Sequence, residues 1–299
     1  MTARLALGAL LLAACGAWAQ TPAGPSATLH GAQADGHRLT EVSGLAWDTA
    51  AQQLYAVSDR GLLYRLALTR SSEQPLALQL LSAHPLKAPD GRRVDAEGLS
   101  LLAASESPSG QTELLVASEG PARVLRFSTD GALLGEWALP TALAASRALR
   151  RGNSQLEALA MHPRLGPLVA AEAPSAGGGR AAHEVHSATR SWTFAAGSGR
   201  QVRLKAMDVL PDGRLLVLER AQAGGGLVNR LLEVDLSACG GTATCGVTER
   251  VVLEGEVDAA NHEGMAWLGE DGGQTWVLLV SDDRGARQTG TRFQLIALP

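Results

Sequence analysis

Lysine is almost missing from this chain: 299 residues contain only Lys87 and Lys205, and nearly all positive charge is arginine. Those arginines form no basic run and the net charge is −4, which sets aside a nucleic-acid-binding surface. No apolar stretch reaches the roughly 20 residues that a membrane-spanning helix needs. Catalytic signatures are missing as well. There is no Gly-x-Ser-x-Gly nucleophile elbow, no phosphate-binding loop and no dinucleotide fingerprint. Three cysteines occur, and no nearby histidine completes a four-ligand zinc site with them. With 45% apolar and 19% charged residues, the composition is that of a globular protein without a long disordered tail.

The first residues read as an export signal. Arg4 gives a positive start, Leu5 to Ala14 an apolar stretch, and Ala17-Trp18-Ala19 small residues before a cut at Gln20. A second reading is a lipoprotein signal, in which Leu12-Ala13-Ala14-Cys15 makes Cys15 the lipid-anchored first residue. Both place the mature chain outside the cytoplasm, in the periplasm, secreted, or anchored in the cell envelope. Cys239 and Cys245 flank a small, flexible Gly240-Gly241-Thr242-Ala243-Thr244 loop, so an oxidising compartment predicts a disulfide between them.

The body of the chain, residues 27–299, repeats a strand–strand unit of about fifty residues. Ser43-Gly44-Leu45-Ala46-Trp47 followed by Gln53 to Arg60 opens the series. It returns from Glu97 and Glu113, from Glu157 and Pro167, from Lys205 and Arg214, and from Glu263 and Thr275. Each half-unit is apolar at odd and even positions alike, so both faces of the strand must be covered. Radially packed blades supply that cover. The predicted fold is all-β, a single β-propeller of five four-stranded blades. A sixth blade hidden near Ala138–Asn153 is the alternative, and a sandwich of short strands fits less well. The last unit lacks a strand, which Thr28 to Ala32 would supply to close the ring. His183-Glu184-Val185-His186 is read as a glycine-flanked surface loop, and Gly177-Gly178-Gly179 and Gly224-Gly225-Gly226 as long flexible loops.

If the first two strands of each unit form a hairpin, its two open ends meet at one rim. There stand Ser43, Glu97, Glu157, Lys205 and Glu263, and beside them Asp59, Glu119, Glu172, Glu219 and Asp282. Eight carboxylates would then converge on the mouth of a central channel. Two like charges about 4 Å apart repel by roughly 4 kcal/mol at an effective dielectric near 20, so something must offset them. A hard cation bound by Asp59, Glu97, Glu157, Glu263 and Asp282 would do so, and oxygen ligands suit calcium. Arg60, Arg220 and Arg284 are placed to grip a small anionic ester. Glu97 and Glu263 are the candidate catalytic carboxylates, with His262 a candidate for proton transfer. In the competing reading these charges are structural ion pairs between blades, and His262 is structural or solvated.

Five places carry a family resemblance: Ser43-Gly44-Leu45 with Ser58-Asp59-Arg60-Gly61; Asp95-Ala96-Glu97-Gly98-Leu99; Gln155-Leu156-Glu157-Ala158-Leu159; Leu210-Pro211-Asp212-Gly213-Arg214 with Leu218-Glu219-Arg220; and Asn261-His262-Glu263-Gly264-Met265 with Ser281-Asp282-Asp283. The pattern resembles the phytase-like propeller family, described as having esterase-like activity of phytase. That resemblance implies a propeller hydrolase. The Asp-Asp-Pro-Ala stretch of calcium-dependent phytases is missing, so a smaller phosphoester or a carboxylic ester is the implied substrate. Two functions follow: an exported, divalent-cation-dependent hydrolase acting as a monomer, or a non-catalytic envelope propeller that binds a ligand or protein partner.

Overall fold

Gln53–Ser58 and Glu113–Ser118 are buried almost end to end, because each strand lies inside a sheet that is itself covered on both faces. A computed structural model describes residues 24–144, 156–177, 180–239, 244–254, 260–285 and 290–299. Both readings of the export signal, and Cys15, lie outside the described residues.

Five sheets follow one another, each starting with its innermost strand. The first blade is Val42–Asp48, Gln53–Ser58, Leu62–Thr69 and Ala77–Pro85. The second is Ala96–Leu102, Glu113–Ser118, Arg123–Ser128 and Leu133–Trp137. Leu156–His162, Gly166–Ala171, Arg180–His186 and Ser191–Ala195 form the third. Arg200–Val209, Leu215–Ala223, Gly226–Val234 and Val247–Glu254 form the fourth. The fifth has His262–Asp271, Gln274–Ser281 and Thr291–Leu298 from the end of the chain. Its outer strand is Ser26–Leu29, paired from Ser26 with Gln294 to Leu29 with Thr291. The ring is therefore a five-bladed propeller closed by an N-terminal strand. In the stretch suspected of hiding a sixth blade, the described residues form only a short helix, Thr141–Ala144.

Apolar side chains fill the seams between blades rather than one central core. Leu54, Tyr64 and Phe293 share a cluster across the closure from the fifth blade to the first. Phe194, Leu215 and Cys245 share another between the third and fourth blades. Cys239 and Cys245 are disulfide-bonded, with Cα atoms 5.0 Å apart. Cys245 belongs to a two-residue strand from the fourth blade's connection, which pairs in parallel with the outer strand of the third. The link thus pins one blade to the next.

Two loop expectations are corrected. His183 and His186 lie on a strand and, three residues apart, face opposite sides of the sheet; both are buried because the blade is covered on both faces. Gly224 and Gly225, at φ 58° and 88°, form a two-residue hairpin turn between Ala223 and Gly226, not a long loop.

Candidate functional site

Every innermost strand carries a register shift at its start. The shifts fall between Val42 and Gly44, Ala96 and Gly98, Leu156 and Ala158, Leu204 and Ala206, and His262 and Gly264. A β-bulge leaves one residue outside the ladder and re-aims its side chain. The extra residues are Ser43, Glu97, Glu157, Lys205 and Glu263, which is the first rim series read from the sequence. The next residue must be small. A Cβ on Gly44 would stand 2.9 Å from the Glu97 carbonyl oxygen, and one on Gly98 2.8 Å from that of Glu157. Neighbouring inner strands thus pass nearly backbone to backbone, which draws the bulged residues around one axis.

They surround an open cavity of about 330 Å3. Two residues further on, Leu45, Leu99, Leu159, Met207 and Met265 point inward and are all buried. Only about 10 Å3 remains among them, room for about one water molecule, so the channel closes down to an apolar floor beneath the cavity.

Nine carboxylates and one lysine line the wall. Seven of the eight acids predicted to converge are there: Glu97, Glu157, Glu263, Asp59, Glu119, Glu172 and Asp282. Glu219 is not. Ser58, Ser118, Ala171 and Ser281 pair with the residue before each bulge, and in the fourth blade that partner is Glu219 itself. Arg220 therefore takes the rim position, and Glu219 faces the opposite side by the two-residue period of a strand. It is fully buried there, accepting hydrogen bonds from Gly197 N at 2.8 Å and Arg230 at 3.4 Å, and lying 2.9 Å from His183 Nε2.

Glu41 and Asp95 complete the wall and were missed. Each stands two residues before a bulged residue, on the same face, as do Arg203 and Asn261 in the fourth and fifth blades. The acid-x-acid spacing of Asp95-Ala96-Glu97 was the signal that could have found Asp95. The intervening residue points the other way. That is why His262, equivalent to Ala96, Leu156 and Leu204, is buried and does not line the cavity.

Charge is distributed unevenly. Lys205 Nζ lies 2.9 Å from Glu172 and 2.6 Å from Glu263, and is also paired with Glu157. Arg203 adds a 3.2 Å contact to Glu172, and Arg220 bonds Glu263 and, at 2.5 Å, Asn261. Burial alone would lower the pKa of Lys205, but Glu157 and Glu172 outweigh it and hold the ammonium charged. Arg60 is half in solvent and clasps Glu41 through two nitrogens, one at 2.7 Å. Arg284 is exposed and lines a different depression. None of the three nominated arginines lines the acidic cavity.

On the other arc, Asp95, Glu97 and Glu119 each offer an oxygen, all within 4.8 Å of one another. Burial first, then Glu157, pushes the Glu97 carboxyl well above the ordinary range, while Lys205 opposes the shift. Burial also raises Asp95 and Asp282. Asp59 is pushed up to about 7, by burial and then by Glu41. Of the five residues nominated to bind a cation, Glu97 alone belongs to the close trio. Glu157 and Glu263 are already engaged by Lys205, and Asp59 and Asp282 stand on the wall nearby.

The family model for phytase-like proteins, described as "Esterase-like activity of phytase", matches residues 37–284. The chain belongs to this phytase-like family. That span includes every residue of the cavity wall. No curated protein matches the chain. Among solved structures, the phytase-like propeller is similar to the PQQ-bound form of aldose sugar dehydrogenase from Streptomyces coelicolor. The identity is 13% and the TM-score 0.43, over 93% of this chain and all of that one.

The oxygens of the trio suit a hard divalent cation. Calcium binds oxygen at about 2.3–2.6 Å, so two ligands of one ion lie no more than about 5 Å apart, as these do. Among the described residues, no ion pair neutralises Asp95 or Glu97.

Proposed function

We propose that this phytase-like propeller is an exported, divalent-cation-dependent hydrolase of small phosphoesters or carboxylic esters, with its reacting centre in the acidic cavity. The observation that carries the reading is the trio Asp95, Glu97 and Glu119 in a dead-end cavity of about 330 Å3. These residues would hold the cation, calcium by the chemistry of the donors. Once bound, it supplies positive charge to an ester oxygen and lowers the pKa of a water. Asp59, whose carboxyl is pushed up to about 7 by burial and then by Glu41, would be the group on this wall suited to accept a proton within the cavity. Glu263 lies clamped between Lys205 and Arg220, which suits it to orient substrate rather than to exchange protons. Export is supported by the Cys239–Cys245 disulfide and by the signal-like first residues. No helix among the described residues is long and apolar enough to cross a membrane.

Elemental analysis of protein purified without chelator, followed by a panel of aryl phosphates and aryl esters, tests the reading. One divalent ion per chain is expected, with turnover lost on chelation and in Glu97→Gln. Turnover that survives both treatments, or no turnover on any ester, would reject it.

The ion pairs around Lys205 favour a second reading, an envelope propeller that binds a ligand or protein partner without turnover. Under it, stability is indifferent to chelators and Glu97→Gln leaves ligand capture intact.

A further inference from the structure

A second depression of opposite charge lies beside the acidic cavity. In the fourth blade the strands run on past the rim, with Arg200 paired to Gln222 beyond the rim pair of Arg203 and Arg220. The extension carries the Gly224–Gly225 turn outward, where the absence of side chains lets a ligand approach the backbone. From the fifth blade comes the Asp282–Arg284 turn, fixed by the Arg284 N–H donating to Asp282 Oδ1 at 2.7 Å. Between the two lies a cleft of about 550 Å3, within the range of small-molecule sites.

Arg200 and Arg284 both line this cleft, and no acidic residue among the described ones does. Neither arginine forms an ion pair with a described residue, and both are exposed. A single turn divides the two depressions: Asp282 faces the acidic cavity, and Arg284, two residues on, faces the cleft. The proximity is electrostatic as well as sequential. After burial, the dominant cause, Arg284 is among the charges that lower the pKa of Arg220, which bonds Glu263 on the cavity wall.

We infer that the cleft is an anion-binding subsite, taking a phosphate or carboxylate through Arg200 and Arg284. Guanidinium groups hold such oxyanions in paired, charge-assisted hydrogen bonds. The substrate class follows, and this step alone rests on the proposed hydrolase: an ester bearing a second anionic group, set apart from the bond that is cleaved. Uncharged esters would fill the cavity and leave the cleft empty.

Calorimetric titration of metal-stripped, desalted full-length protein with inorganic phosphate, and separately with succinate, tests the subsite without any turnover. Binding of at least one anion is expected, with the pair telling phosphate from carboxylate recognition. It should weaken about tenfold in Arg200→Gln or Arg284→Gln, further in the double variant, and stay unchanged in Glu97→Gln. Failure of both anions to bind, equal binding in the double variant, or loss in Glu97→Gln would overturn the assignment. A second measurement compares kcat/KM for an aryl ester carrying a remote carboxylate with that for its neutral analogue. Their ratio should fall about tenfold in the double variant. If wild-type protein turns over neither ester, the hydrolase reading fails while the titration still decides the subsite.

Discussion

From Glu157 round to Glu263 the cavity wall is a closed network of ion pairs, whereas from Glu41 to Glu119 it is largely a run of like charges. The first arc centres on Lys205, which touches three carboxylates from two other blades, the third and the fifth, and is reinforced by Arg203 and Arg220. The second arc holds Asp59, Asp95, Glu97 and Glu119, with Arg60 drawn outward to Glu41. Both arcs are built by the same bulge and the same strand pairing, so backbone geometry does not explain the difference. One side chain does: the bulged position is lysine in the fourth blade and glutamate in the second. The comparison teaches that the fold converges charge on the axis, and that the residue at each bulge decides whether the charge is cancelled internally or left for a ligand.

The strongest way to break the comparison is Lys205→Met. It leaves Glu157, Glu172 and Glu263 together without their ammonium, and Glu157 is nearly fully buried. Removing one partner of a buried ion pair costs about 3–5 kcal/mol, and that loss is expected in urea unfolding of metal-free protein. A loss below about 1 kcal/mol would mean that the network is not what holds this arc.

A smaller effect sharpens it, because one substitution type should act with opposite sign on the two arcs. Burial raises the Glu157 carboxyl as well, but Glu157→Gln also takes from the buried Lys205 one of its three partners, and it should cost about 1–3 kcal/mol. Glu97→Gln removes a charge that burial and neighbouring acids already disfavour, so it should stabilise metal-free protein at pH 8 by about 1 kcal/mol. The gain should shrink as pH falls, since a carboxyl raised by burial takes up its proton earlier than an ordinary glutamate. If the trio holds calcium, the ion should raise the unfolding temperature of the wild type and not that of Glu97→Gln. Destabilisation by both variants would erase the distinction between the arcs.

How much of this was legible in the sequence can be traced residue by residue. The five repeats, the closing strand and most of the acidic rim were readable, because doubly covered strands leave unbroken apolar runs with acids at fixed offsets. Glu219 was misplaced because the fourth repeat offers Glu219-Arg220 where the others offer a single acid, and only strand register says which of the two turns inward. His262 looked like a rim residue because adjacency to Glu263 suggests proximity, yet in a strand adjacent side chains point apart. The bulges that aim Glu97 and Lys205 left no trace beyond the small residue after each. Arg60, Arg220 and Arg284 were read from adjacency too, yet Arg60 reaches across its own blade to Glu41, Arg220 finds Glu263 on the next blade, and Arg284 forms no ion pair with a described residue.

The smallest effect concerns pH. Asp59 titrates near 7 in the folded chain against 3.8 for an ordinary aspartate, raised first by burial and then by Glu41. A folded pKa above the unfolded one means the native state binds the proton more tightly, so protonation stabilises it. Stability of metal-free protein should therefore fall as pH rises from about 4 to about 7 and level off above, the reverse of a salt-bridged carboxylate. Asp95 and Asp282, raised in the same direction, add to the slope. The side chain of Asp59 is 40% exposed, so solvent screening keeps its share modest. Unfolding midpoints at half-unit steps across this window, with and without calcium, make the test. The slope should be shallower in Asp59→Asn and should flatten when calcium is present, because a cation replaces the proton as the counter-charge. A metal-free protein whose stability rises through the same window would show that the acid-rich arc is neutralised by some other means, and the contrast with the Lys205 arc would fall with it.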